Sequence, residues 1–481
     1  MTHFCKKIYL LAAALCTVAN MVAAKYDIRI DGVYYALQTD GKAIVVAGDE
    51  KYTGIVTIPD VIECAAGDYP VTSIADRAFA GCKELKEINY GTSITTIGNH
   101  AFHGCEGLTH FTILPGITFI DHSAFENTGL TEIVIPQSLA NIGNAVWKGC
   151  KALRSASIEN KLIGEEQFAN CISLDSAIIS ENVTSIKKKA FSRCIELKTI
   201  AIPARVEKIE QEVFTACEKL QSAVILNRTI GSKQFVGCKM LNQITLSEAL
   251  ASIEEKAFNG CLAITEFRSP AGLQIIGDEA FMACSGLKTV ELGVTLTHVG
   301  KKAFSGTAIE QIKIPANIKT FGNATFQNCK SLQSVELENA CLSEGEFQGC
   351  DKLQQVSLHV QTYRIPKNAF NGCTSLISIP FPQGMAVVEN NAFHACKSLE
   401  EITLPASIEQ IANGAFSGCS TLKHIRCYAV QVPQTSSNAF SGISKEGLRI
   451  EVPAESVEPY KLAAGWKALQ PKEGQVFFPI E

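Results

Sequence analysis

Fourteen cysteines occupy one place in a recurring phrase: Cys82, Cys105, Cys150, Cys171, Cys194, Cys217, Cys238, Cys261, Cys284, Cys329, Cys350, Cys373, Cys396 and Cys419. Regularly spaced thiols can pair as disulfides, ligate a metal as thiolates, or act as nucleophiles. Their sequence neighbours argue against all three. Each stands three residues after an aromatic and three before an apolar residue such as Leu85, Leu108, Leu153 or Leu174. Thr128, Thr307 and Ile443 fill the same place in the remaining copies. A position open to Cys, Thr and Ile is a packing position, since free Cys behaves as a small apolar side chain. Side chains aligned one above another also lack the torsion a disulfide needs, and a thiol in apolar surroundings is inert. The expectation is an internal column of thiols. Cys64, Cys341 and Cys427 lie off that column and are the better candidates for oxidation.

Other chemistry is sparse. The nine histidines are scattered, with His298 and His424 reading as surface residues, so no metal ligands are expected. There is no Gly-x-Ser-x-Gly elbow, His-Glu-x-x-His pair or phosphate-cradling Gly-x-x-x-x-Gly-Lys-Ser/Thr loop. Acid pairs such as Glu254-Glu255 and Glu400-Glu401 fall on variable, solvated positions rather than facing each other as in a glycosidase. Neither a catalytic residue nor a cofactor is expected, and the chain reads as non-enzymatic. A net charge of −5 gives no basic stripe for nucleic acid.

The elements that must position these side chains follow from the spacing. An aromatic returns every 21–24 residues, seventeen times: Phe79, Phe102, Phe125, Trp147, Phe168, Phe191, Phe214, Phe235, Phe258, Phe281, Phe304, Phe326, Phe347, Phe370, Phe393, Phe416 and Phe440. The full phrase is roughly aliphatic-x-x-Ile-Gly-x-x-Ala-Phe-x-Gly-Cys-x-x-Leu-x-x-Ile-x-Ile-Pro. A unit this short cannot bury its own apolar face, whereas stacked units can, so the period predicts a repeat solenoid, mainly β. Val71-Thr72-Ser73-Ile74 reads as a first strand, Ala78-Phe79 as a tight helical or 3-10 turn, and Lys86 to Tyr90 as a second strand. Gly stands two residues after the aromatic in ten copies and Asn in three, which predicts a left-handed backbone there. Corresponding strands of successive coils should pair in parallel.

A solenoid exposes strand edges at its ends and needs covers. The expected organisation is therefore residues 1–24 as a signal peptide, 25–70 as an N-terminal β cap, 71–442 as seventeen repeats and 443–481 as a C-terminal cap. Lys6 and Lys7, the apolar run Ile8 to Val18 and the small residues Val22-Ala23-Ala24 carry the first of these. Hairpin strands at 28–30, 33–37 and 43–46, and a last strand at 448–453 followed by one helix over 456–469, carry the caps. No second long apolar run is present, so a transmembrane segment is not expected. Export by the signal peptide would leave the protein secreted, periplasmic or at the cell surface.

The phrase Ile-Gly-x-x-Ala-Phe-x-Gly-Cys-x-x-Leu resembles that of the BspA-type leucine-rich repeat proteins over about residues 71–442. Val56-Thr57-Ile58-Pro59, and Val452-Pro453-Ala454 with Tyr460 and Trp466, resemble the family's flanks. The resemblance implies leucine-rich-repeat-like coils and a bacterial surface or secreted protein. It also implies an adhesin-like role, with a protein or glycan ligand such as a host matrix protein. A self-associating structural component of the envelope or matrix is the alternative.

The surface left for such a role is the outward row of the second strand, two residues per coil, from Glu87 and Asn89 to His424 and Arg426. Between 155 and 224 this row is uncharged: Ser155, Ser157, Ser176, Ile178, Thr199, Ala201, Ser222 and Val224. A flat uncharged strip lets a partner dock at low desolvation cost, and these eight residues are the candidate binding face.

Overall fold

The computed structural model describes residues 26–471 and 474–480, so the segment read as a signal peptide lies outside the described residues. The chain is a mainly β solenoid of about eighteen turns with very little helix. It divides into two compact units, Met1–Asn227 and Arg228–Glu481. Seven of the seventeen repeat aromatics fall in the first unit and ten in the second.

Each coil makes the same circuit. A two-residue strand, such as Thr96–Ile97, Phe119–Ile120 or Asn141–Ile142, pairs in parallel with its counterpart one coil along, placing Ile97, Ile120 and Ile142 in one inward column. A tight turn follows. Then comes a longer strand, such as Glu132–Ile135 or Ser155–Ile158, again parallel and in register with the next. Within each unit the aromatics stack nearly parallel, with ring centroids 4.9–6.1 Å apart. That is the range in which aromatic pairs gain beyond their buried area.

The turn carries a hydrogen-bond ladder of its own. Alternate residues bond within the turn, three back, as a 3-10 turn does: Ala78 N to Ala75 O, Ala80 N to Arg77 O and Cys82 N to Phe79 O, at 3.0–3.2 Å. The residues between them bond to the next coil instead: Arg77 N to Asn99 O, Phe79 N to Ala101 O and Gly81 N to His103 O, at 2.7–2.9 Å. Pointing every second peptide along the stack requires a reversal of backbone hand on either side of the aromatic. Accordingly φ is positive two residues after the aromatic in all seventeen copies, at 58–78°. It is also positive two residues before it in sixteen copies, at 51–65°. The first position was expected from its Gly and Asn. The second was not, because Arg77, His100, Glu212 and Lys256 stand there. The Gly four before the aromatic has a different cause. A Cβ on Gly143 or Gly300 would run into the backbone nitrogen of His122 or Asp278 in the preceding coil.

At the N-terminal side, Ile28–Ile30, Val33–Leu37 and Ala43–Val45 form an antiparallel meander. Its last strand pairs in parallel with Gly67–Ile74. Tyr52 continues the aromatic column, its ring 4.5 Å from Phe79. At the other end the single helix expected over 456–469 is two short ones, Val457–Leu462 and Ala464–Lys467, broken by the extended backbone of Ala463. The strand expected to be last, here Arg449–Val452, is followed by Phe477–Pro479, which pairs with it in parallel. Trp466 lies 5.2 Å from Phe440 and is fully buried.

Three short coils replace the usual small residue before the aromatic with a buried polar one: Gln167, Gln234 and Glu346. Gln167 Oε1 and Gln234 Oε1 accept from the backbone N–H of Gly164 and Gly231. Glu346 accepts from the Ser343 hydroxyl, and full burial pushes its carboxyl up to about 8. Its folded value exceeds that of an unfolded glutamate, so the folded state binds more protons between about pH 4.5 and 8. Stability therefore falls as pH rises through that window, by on the order of 5 kcal/mol in all. Glu346→Gln should flatten this slope, so that the variant gains melting temperature over the unsubstituted protein at pH 9 compared with pH 5; an unchanged slope in thermal melts would refute the assignment. A second expectation concerns Ala283, at φ 59°. Ala283→Gly should stabilise the protein by about 0.5–1 kcal/mol, because relief of the left-handed strain exceeds the glycine entropy cost. A lowered urea midpoint would contradict this.

Candidate binding face

The thiol column is present and does more than fill space. At least twelve of its members point Sγ at the carbonyl of the aromatic one coil earlier: Cys105 to Phe79 O at 3.0 Å, Cys171 to Trp147 O at 3.1 Å, Cys284 to Phe258 O at 3.1 Å, and so on to Cys419 with Phe393 O at 3.2 Å. Thr128 and Thr307 keep the donor but turn it to the carbonyl of their own aromatic, at 3.0 and 2.8 Å. Burial pushes the thiols up to about 11 at Cys150 and about 12 at Cys105, Cys217, Cys284 and Cys419, and well above the usual range at Cys171, Cys194, Cys261 and Cys396. Such groups stay protonated at neutral pH and are poor nucleophiles. Off the column, Cys341 is exposed and Cys64 half-buried. Cys427 does not belong with them. It is buried, with Sγ 3.2 Å from the Tyr460 hydroxyl, because the strand His424–Cys427 packs under the first C-terminal helix.

The eight candidate face residues all lie on the outward side of second strands. Ser176, Ile178, Thr199 and Ala201 are exposed, and Ser155, Ser157, Ser222 and Val224 half-buried. Ser155 pairs with Ser176 and Ser157 with Ile178 in one ladder; Thr199 pairs with Ser222 and Ala201 with Val224 in the next. The structure thus gathers them as two adjoining groups of four. Ile178 is 63% exposed, and Val134, two coils earlier in the first ladder and paired with Ser157, is 55% exposed, so the strip carries apolar side chains in the open.

Elsewhere the same row is hollowed and charged. A depression of about 720 Å³ is lined by Lys86, Glu87, Asn89, Tyr90, His110 and Thr112. In the second unit, one of about 450 Å³ is lined by Gln311, Lys313, Ser334, Glu336, Gln355 and Ser357. Charges there pair across coils, as in Lys313 with Glu336 at 3.1 Å and Arg268 with Glu291 at 3.6 Å. These exposed pairs set local polarity and add little stability. One cluster was not foreseen. His100, His103 and Glu126 bring three donor atoms within 4.8 Å of one another. His103 and Glu126 are distant in the chain, but both follow their aromatic by one residue. That shared register is the signal that could have found them.

The family model for the BspA type leucine rich repeat region matches residues 72–164, 161–285, 251–343 and 340–462. No curated protein matches the chain. Among solved structures, a leucine-rich repeat protein from Bacteroides ovatus is 24% identical with a TM-score of 0.59, over 95% of this chain and 100% of that one. A leucine rich cell surface protein from Faecalibacterium prausnitzii is 24% identical with a TM-score of 0.37, over 86% and 97% of the two chains. The pneumococcal vaccine antigen PcpA is 16% identical with a TM-score of 0.43, over 91% and 96%. The first of these likenesses shows the fold. Among the described residues no helix is long and apolar enough to cross a membrane.

The thiol geometry has a direct check. N-ethylmaleimide should label Cys64 and Cys341 in the native protein, and all seventeen described cysteines only after denaturation. Rapid native labelling of Cys217, read by peptide mass spectrometry, would contradict the buried column.

Proposed function

The chain belongs to the BspA-type leucine-rich repeat family, and from that premise we propose that it is a secreted or cell-surface binding protein that performs no catalysis. Proteins of this type are typically surface or secreted, and leucine-rich repeat proteins commonly bind other proteins. The ligand in this reading is a protein or glycan, such as a host matrix protein, held on the outward row of the second strands. Residues 1–24 would direct export, and residues 25–70 and 443–481 would cover the two ends of the repeat array.

The observation that carries the reading is the uncharged strip from Ser155 to Val224, with Ile178 in the open. Packing explains every inward residue of these strands but leaves the outward ones unexplained. An exposed isoleucine flanked by small hydroxyl side chains offers contact area without charged groups to desolvate. Strands held on both sides by their neighbours also present this surface in a fixed geometry, which lowers the ordering cost of binding.

The test is the double substitution Ser176→Lys and Thr199→Lys, assayed for retention on immobilised extracellular matrix or mucin. Two ammonium groups on the strip should weaken retention at least about tenfold while leaving the melting profile unchanged. Equal retention by the folded variant would remove the strip from consideration. Light scattering over a concentration range separates ligand binding from self-association, the behaviour expected of a structural component of the envelope or matrix.

A further inference from the structure

We propose that His100, His103 and Glu126 form a site for one divalent cation of the zinc class. Two imidazoles and a carboxylate are a donor set that suits zinc, cobalt or nickel better than magnesium or calcium, which prefer all-oxygen shells. The three side chains come from two adjacent coils of the first unit, and the backbone fixes their spacing. His100 N bonds to His122 O at 3.0 Å, Phe102 N to Ala124 O at 2.7 Å and Gly104 N to Glu126 O at 2.8 Å. His100 occupies the left-handed position two before its aromatic, at φ 54°.

The distances fit an ion better than a direct contact. His103 Nδ1 lies 3.6 Å from Glu126 Oε2, too far for a hydrogen bond. Two ligand atoms on a tetrahedral zinc stand about 3.3 Å apart, given bonds near 2.0–2.1 Å. The His103 side chain is 39% exposed but its Nδ1 is shielded and lacks a hydrogen-bond partner, as does Nδ1 of His394 at the same register; what sets His103 apart is the second imidazole and the carboxylate beside it. The ring of His100 lies 5.2 Å from that of His103. Asn99 Oδ1 sits against His100 Nδ1, a contact that sets the tautomer leaving Nε2 with its lone pair, as metal-binding imidazoles usually have it. Asp76 and Arg77 lie within Coulomb reach of His100 and oppose each other.

Comparison along the stack isolates the feature. The row that contains His100 carries oppositely charged neighbours in other coils, Lys189 with Glu212 and Lys256 with Glu279, each at 3.5 Å. Those positions are neutralised by their own partners. Only at His100 and His103 does the turn present two imidazoles, with one carboxylate beside them. Three protein ligands leave a coordination position for water, the open type of zinc site.

The test uses the tag-free full chain titrated with cobalt(II) chloride. One equivalent should bind and produce visible d–d absorption without the near-ultraviolet charge-transfer band of a thiolate ligand, and zinc chloride should displace it. His103→Gln should weaken binding more than about 100-fold, beyond the usual effect of altering a group behind the ligands. Glu126→Gln should weaken it less. His100→Gln gives a second reading should the first variant fold poorly, and circular dichroism without metal verifies each fold. Absence of a visible band at millimolar cobalt would overturn the proposal. So would unchanged binding in the folded His103→Gln or His100→Gln protein.

Discussion

The structure depends on one constraint: at each turn, every second peptide must point along the stack instead of back into its own coil. The first strand of most coils is only two residues long, too little to hold neighbours in register alone. The turn supplies three further bonds in most coils, where the backbone reverses hand on both sides of the aromatic. An L-residue held there costs about 1–2 kcal/mol, and the cost recurs in coil after coil. The aromatic column offsets it. A stacked ring buried between two like rings gains contact on both faces, and its place between the two reversals forces each turn to sit over the last.

The thiol belongs to the same arrangement. The carbonyl of the aromatic already accepts the backbone N–H of the Cys in its own copy, and it also receives the Sγ of the Cys one coil later. Cys is small, apolar and able to donate weakly, three properties the site requires together. Thr meets the first and third but turns its hydroxyl to its own coil, which shifts the bond from between coils to within one. Ile443, in the final copy, meets only the demand for apolar volume. The protonated state that makes these thiols useful donors also makes them poor nucleophiles, so their regular spacing is a mark of packing and not of reactivity.

Much of this was legible in the sequence because packing repeats. The period, the inward Phe, Cys, Leu and Ile, both strands and the left-handed glycine position all follow from residue types that recur. The left-handed position before the aromatic was not legible, since Arg77, His100, Glu212 and Lys256 share no composition that signals it. There the inter-coil hydrogen bond dictates the backbone and the side chain is indifferent. The ends were harder for the same reason. Nothing repeats at Ala463, where the helix breaks, or at Phe477–Pro479, which adds a strand, and the burial of Cys427 depends on a helix packed over it. The outward placement of the eight candidate face residues was legible from the strand alternation, whereas what they would bind was not, because outward side chains are released from most packing demands.

That release determines how function can be written on such a chain. In a globular domain a site is assembled from loops of arbitrary separation, and a linear motif often marks part of it. Here a side chain touches its own turn and the same position one coil away, so any site on the flank must combine residues separated by about one period. His103 and Glu126 illustrate the rule, as does the pairing of Ser155 with Ser176. Motif searches along the chain are blind to such pairs. Reading down each column exposes them: His100 shares its column with the paired charges Lys189, Glu212, Lys256 and Glu279, and an imidazole there with a second one three residues on is the kind of irregularity that packing does not require.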